Sequence, residues 1–195
     1  MGKVSQMIIN GCEKNVVMIV EGYPRLGFKA FGDLISDGSY SICISRLHPE
    51  YVSEKFNLSG PKFFWLTGNK GKDVISPKSV SHLVKCIKKE SKGKRTMVFL
   101  DGLEYLLLWN DIKRVLVGLE EMGRELKLNG GELYVSMDPL AFEQNDLEKI
   151  WSFFPKVEAE VLIKERSRQI SGASQVTSHQ ETLDLEVPKG LTASP

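Results

Sequence analysis

The sequence predicts an α/β domain: a mostly parallel sheet in three layers, with helices on both faces. Two observations carry this. Short apolar runs at Val16–Val20, Ser41–Ser45, Phe63–Thr67, Met97–Leu100 and Leu133–Ser136 have the length and composition of strands buried in a sheet. Between them lie stretches whose apolar residues recur at three- and four-residue spacing, the mark of amphipathic helices. Strands alternating with helices call for crossover connections and parallel pairing.

The elements follow in order. Residues 1–15 are a polar lead-in, and Val16–Val20 is the first strand. After the Gly22–Gly27 loop, Phe28, Phe31, Leu34 and Ile35 share one helical face, and Asp37-Gly38 ends that helix. Ser41–Ser45 is the second strand, Pro49–Phe56 a short helix, and Phe63–Thr67 the third strand after Pro61. Gly68–Asp73 reads as a polar loop, and Ser76-Pro77 as a helix start leading to Val80, Leu83, Val84 and Ile87. Lys92–Arg95 is a basic turn before the strand Met97–Leu100.

Asn110 is the expected cap of a long helix with Ile112, Val115, Leu116, Leu119, Met122 and Leu126 on its buried stripe. Asn129-Gly130-Gly131 stops it. The strand Leu133–Ser136 ends at Asp138-Pro139, and Leu147, Ile150, Trp151 and Phe154 mark another helix. Val157–Ile163 alternates apolar and charged residues and reads as an edge strand. Residues 16–165 form one domain. Residues 166–195, poor in large apolar side chains, read as a disordered tail dispensable for folding.

The chain has 195 residues and a net charge of +1, which gives no overall footprint for nucleic acid or an anionic membrane. No apolar run approaches the ~20 residues of a membrane span. The first residues lack a signal-peptide apolar core, and Gln6 departs from the myristoylation pattern, so a cytoplasmic protein is expected. Cys12, Cys43 and Cys86 are too few and too widely spaced for a disulfide framework. His82 and Cys86 share a helical face but have no second ligand pair at zinc spacing, so no metal site is assigned. Phe63, Phe64, Trp65, Tyr105 and Trp109 read as core or partner-facing groups, since no basic stripe runs between them.

The strand carboxyl ends, where ligands bind in such sheets, fall at Glu21-Gly22, Arg46, Thr67-Gly68, Asp101-Gly102 and Met137-Asp138. At the first of them stands Gly22-Tyr23-Pro24-Arg25-Leu26-Gly27-Phe28-Lys29, with the two glycines of a phosphate loop at the right spacing. Phe28 takes the place of the phosphate-binding lysine, and Lys29 takes that of the magnesium-binding hydroxyl. One residue along a helix is ~100° of rotation, so Lys29 points away from a phosphate. The bland reading is a strand-to-helix turn; the other is a repurposed phosphate site using Arg25 or Lys29. Asp101 stands at a strand end, as a magnesium-binding aspartate does in such folds, but Asp before Gly is also an ordinary turn. Glu104, three residues on, could form with Asp101 a carboxylate pair for a metal or for acid–base work; the bland and preferred reading is a solvated acid at a helix start.

Six segments together resemble an archaeal family, the domain of unknown function 835: EGYPRLGFKAFGDLISDG, SICISRLHPEYVSEKF, FFWLTGN, ISPKSVSHLVKCI, VFLDGLEYLLLWNDIKRVL and ELYVSMDPLAF. The cover is nearly all of 16–155. The resemblance implies a degenerate relative of RecA/KaiC-like ATPases with no assigned activity, found alone or fused to signalling modules. In RecA-like enzymes a glutamate near the end of the second strand orients the attacking water. Here Arg46 stands there, and a guanidinium is no general base. The resemblance also places Leu133–Ser136 between Val16–Val20 and Met97–Leu100.

The expected function is therefore a non-enzymatic regulatory or interaction domain with an unidentified protein partner, no cofactor and no catalytic residues. Its candidate ligand or partner surface is Gly22, Arg25, Gly27, Lys29, Arg46, His48, Asp101, Gly102 and Glu104. The alternative is a nucleotide-binding protein or slow NTPase with a non-standard phosphate loop. Arg46 is expected near Asp101, either as an ion pair with Asp101 or Glu104 or as a ligand anchor.

Overall fold

A computed structural model describes residues 15–22, 25–35 and 39–164. The readings for residues 1–14, Tyr23-Pro24, Asp37-Gly38 and the tail lie outside them. One parallel sheet holds seven strands: β1 (Val16–Val20), β2 (Tyr40–Ser45), β3 (Lys62–Leu66), β4 (Val74–Ile75), β5 (Thr96–Asp101), β6 (Glu132–Met137) and β7 (Lys156–Glu158). Their spatial order is β4-β3-β2-β5-β6-β1-β7. β6 lies between β5 and β1, as expected, and all the pairs are parallel.

Period-two alternation splits the buried residues between two cores. Val16, Met18, Ile42, Ile44, Val98, Leu100, Leu133 and Val135 face one side. There they meet α3 (Val80–Ser91), α4 (Leu103–Leu107), α5 (Ile112–Lys127) and α6 (Gln144–Phe153). Val17, Ile19, Cys43, Met97, Phe99 and Tyr134 face the other, against α1 (Gly27–Leu34) and α2 (Pro49–Lys55). In that second core Phe28 stacks on Phe56 at 4.3 Å between ring centroids, and Phe31 on Phe99 at 5.2 Å. Phe28, which the sequence reading compared with a phosphate-loop lysine, is thus a core residue, fully buried.

Three local readings are corrected. α3 begins at Val80 instead of after Ser76: Ser79 is the cap, its Oγ accepting from the His82 N–H at 3.3 Å. α5 is capped by Asp111, whose carboxylate accepts from the Arg114 N–H at 2.9 Å. Asn110 is spent elsewhere; its Nδ2 donates to the carbonyls of Pro77 and Leu106, each at 2.8 Å. β7 is an edge strand as expected but covers only Lys156–Glu158, and residues 159–164 turn helical. Ala159 and Leu162, three apart, then share a buried face, which suits a helix. The two-residue β4, just after the polar segment Gly68–Asp73, was not read from the sequence; two residues are too short to show a period.

Candidate functional site

The register of the sheet builds the site. Ile19 pairs with Ser136, Ser136 with Asp101, and Asp101 with Ser45. Each polar member lies two residues beyond a residue of the α1-side core: Tyr134 before Ser136, Phe99 before Asp101, Cys43 before Ser45. Two residues beyond Ile19 comes Glu21. At the carboxyl edge of four adjacent strands the apolar core therefore gives way to one polar row, under the amino end of α1.

Glu21 is 8% exposed, and both its oxygens are used. Oε2 accepts from the Gly27 N–H at 2.5 Å, and Oε1 accepts from the Ser136 hydroxyl. Gly27 is the first residue of α1, whose cap Leu26 offers no side-chain acceptor. An acid in this place satisfies an orphan N–H and meets the positive end of the helix. The carboxylate lies so close that a Cβ on Gly27 would stand 2.8 Å from Glu21 Oε1. Burial pushes the Glu21 carboxyl above its ordinary value, against the lowering effect of its hydrogen bonds and of Arg25.

Asp101 is 1% exposed. It accepts from the Ser45 hydroxyl at 2.7 Å and forms an ion pair with Arg25 Nη1. Burial raises its carboxyl even so. Ser45 Oγ in turn accepts from the Leu47 N–H at 2.9 Å, which fixes the chain leaving β2. Arg46 pairs with Glu104 at 2.5 Å, and its backbone N–H reaches the Asp101 carbonyl at 3.3 Å. The Arg46 carbonyl accepts from Trp65 Nε1 at 3.1 Å, and the half-exposed His48 ring meets Trp65 edge-on at 4.8 Å. Gly102 has φ +123°, and a Cβ there would stand 3.2 Å from Leu66 and 3.6 Å from Arg46. Glycine alone suits both the dihedral and the space.

Glu21, Gly22, Arg25, Asp101, Glu104, Ser136, Met137 and Asp138 line one cavity of about 170 Å³. Of the candidate residues, the structure brings Gly22, Arg25, Asp101 and Glu104 to this cavity. Gly27 lies beneath it through Glu21, with Arg46 and Gly102 at its side. Lys29 is not part of it: it is exposed on α1 and lines another cavity beside the start of β2, with Phe56 and Gly60. His48 sits further out, on Trp65. Arg46 takes Glu104 of its two expected partners, and the partner of Asp101 is Arg25. The sequence reading named Glu21 only as a strand end and missed Ser45 and Ser136. The signal for them was the alternation itself, carried one step past each apolar strand.

Among the described residues no group of three or more His, Cys, Asp or Glu side chains could hold a metal ion. None of their helices is long and apolar enough to cross a membrane. A family described as "Protein of unknown function (DUF835)" matches residues 24–154, about two thirds of the chain, and the chain belongs to that family. No curated protein matches it.

Proposed function

We propose that this chain is a non-enzymatic regulatory or interaction domain, a degenerate relative of RecA-like nucleotide-binding domains, that meets a protein partner in the cytoplasm through the carboxyl edge of its sheet. One observation carries this reading: the chain's own side chains take up the Gly27 N–H and the Asp101 carboxylate, the two groups that a phosphate loop would offer to its ligands. The Glu21 carboxylate sits on the Gly27 N–H, where a phosphate oxygen would be received, and the Arg25 guanidinium sits on Asp101, where a metal ion would be. An incoming phosphate would have to displace a buried carboxylate from its hydrogen bonds and then face Asp101, Glu104 and Asp138.

The other cations do not supply a substitute. Arg46 is held by Glu104, and Lys29 faces elsewhere. The position of β6 between β5 and β1 supports the RecA-like descent. Exposed Leu108, Trp109 and Leu140 lie on the segments that follow the carboxyl ends of β5 and β6, which suits a partner-facing edge.

Thermal melting with magnesium–ATP, magnesium–GTP and ADP tests the reading. A ligand at 100 times its dissociation constant adds ~2.7 kcal/mol of stability. No shift with any nucleotide is the expected result. A saturable upward shift would replace this reading with the nucleotide-binding one.

A further inference from the structure

On the face of the sheet opposite α1, a groove of about 230 Å³ runs between α3 and α5. Its floor is apolar. The two helices come so close there that a Cβ on Gly118 would stand 2.3 Å from Val80 Cγ1, and Val84 lies beside them. Val117, on the α5 wall, is 50% exposed. Trp109, whose ring centroid is 4.3 Å from Lys78 Nζ, is 52% exposed. The rim is positive: Lys78 and Arg114 line the groove, and exposed Lys113 adjoins Arg114 in the chain. The acids close by are already used. Glu121 holds Lys88 at 2.8 Å, and Asp111 accepts from the Arg114 N–H at 2.9 Å. An exposed apolar strip with a charged rim is a docking surface, and this one suits an apolar segment that carries acids. A helix is about 10–12 Å across, too wide for so small a groove, whereas the side chains of an extended segment fit.

The chain carries such a segment beyond the described residues. Residues 181–187 read Glu-Thr-Leu-Asp-Leu-Glu-Val. Of the four acids after Lys164, three fall here: Glu181, Asp184 and Glu186, with no Lys or Arg among them. The only close cluster of large apolar residues in that part of the chain, Leu183, Leu185 and Val187, falls here too. The apolar residues alternate with Asp184 and Glu186, so an extended backbone puts them on one side and the acids on the other. Reach is sufficient. Lys164 follows β7, at one edge of the sheet, and α3 follows β4, at the other. Six strand spacings of ~4.8 Å separate the two edges, roughly 29 Å. The 18 residues 165–182 can span up to ~60 Å.

We infer that residues 181–187 of the same chain dock in the groove between α3 and α5. Leu183, Leu185 and Val187 cover Val84, Val117 and Trp109, and the long side chains of Lys78 and Arg114 reach Asp184 and Glu186 from the rim. The docking does not rest on the proposed function, although the segment covers Trp109, one of the exposed side chains of the partner-facing edge.

Carbodiimide cross-linking of the full chain tests it, because the reagent joins a lysine amine to a carboxylate in contact. Isotope-labelled and unlabelled chains are mixed in equal amounts, and the joined peptides are identified by mass spectrometry. Links from Glu181, Asp184 or Glu186 are expected to concentrate on Lys78 and Lys113 and to join residues of one chain. They are expected to disappear in Leu183→Ser/Leu185→Ser, which leaves the described residues untouched, and in Val117→Asp, a change at an exposed position. Absence of these links would overturn the proposal, as would an even spread over exposed lysines such as Lys55, Lys89 and Lys149. Links that persist in both variants would overturn it too. Links between labelled and unlabelled chains would replace it with docking on a second copy.

Discussion

Replacing Arg25 by alanine is expected to lower the unfolding free energy by about 2–4 kcal/mol in urea denaturation, although Arg25 lies on a loop at the surface. The cause is Asp101. Its carboxylate is almost wholly buried and has two side-chain donors, Arg25 and Ser45. Removing one member of a buried pair leaves the other charge uncompensated, typically at ~3–5 kcal/mol. The lower end applies here because the Arg25 side chain is 26% exposed and Ser45 remains.

The loss carries a pH signature. Burial already holds the Asp101 carboxyl above its ordinary value of 3.8, with Arg25 opposing the rise. Without Arg25 it climbs further. A carboxyl whose pKa is higher folded than unfolded makes the folded state the stronger proton binder, so its ionisation removes stability as pH rises from the unfolded value through the folded one. The deficit of Arg25→Ala is therefore expected to be small near the ordinary aspartate value and to grow toward neutral pH. Adding Asp101→Asn should recover most of it, because asparagine brings no charge and its carbonyl still accepts from Ser45. A double variant no more stable than Arg25→Ala would show that the uncompensated charge of Asp101 is not the cause of the loss.

Gly131→Ala is expected to cost about 3 kcal/mol, with a matching fall in melting temperature. A Cβ at this position would stand 2.2 Å from the backbone oxygen of Thr96, the first residue of β5. Backbone inside a central strand does not yield as a side chain does. Gly131 also links α5 to β6: its N–H donates to the Leu126 carbonyl, and its own carbonyl accepts from Asn15 Nδ2, each at 2.9 Å. A shift there would displace the start of β6, whose register sets Ser136 beside Asp101. The neighbouring Gly130 is needed for a different reason, its φ of +70°, with open space where a Cβ would be. Gly130→Ala is expected to cost only the ~1–2 kcal/mol of a left-handed alanine.

The sheet was legible because its central strands are buried on both faces. Val16–Val20 and Met97–Leu100 are continuous apolar runs, which few other structures permit. The helix starts were less legible. Ser76, Ser79, Asn110 and Asp111 are all chemically able to cap, and composition cannot choose between Ser76 and Ser79. Asp111 caps α5 because the amide of Asn110 is drawn inward to two carbonyls, a tertiary contact. The short β7 misled for a related reason: Val157 and Ala159 sit two apart as in a strand, while Ala159 and Leu162 sit three apart as in a helix. In the site, the positions of Gly22, Arg25, Asp101 and Glu104 followed from strand ends and loop spacing. The pairing did not, since which guanidinium meets which carboxylate depends on how the loop folds over the polar row. Glu21 was hidden by its type, because a glutamate after a strand ordinarily faces solvent.

The central claim is that the Glu21 carboxylate occupies the Gly27 N–H at the start of α1, and a thermodynamic cycle on the two residues tests it most directly. Alanine is the better helix former by up to ~1 kcal/mol, so on propensity alone Gly27→Ala should stabilise α1 or leave it unchanged. With the carboxylate in place, the new methyl group would press on Glu21 Oε1 and break its bond to the Gly27 N–H. Gly27→Ala is therefore expected to destabilise the native chain by about 1–3 kcal/mol, the cost of a lost hydrogen bond to a buried charged group. In a Glu21→Ala background the same substitution is expected to be neutral or stabilising. Denaturant unfolding of the four proteins gives the coupling energy. A change of sign between the two backgrounds is the result expected; equal effects of Gly27→Ala with and without Glu21 would contradict the account.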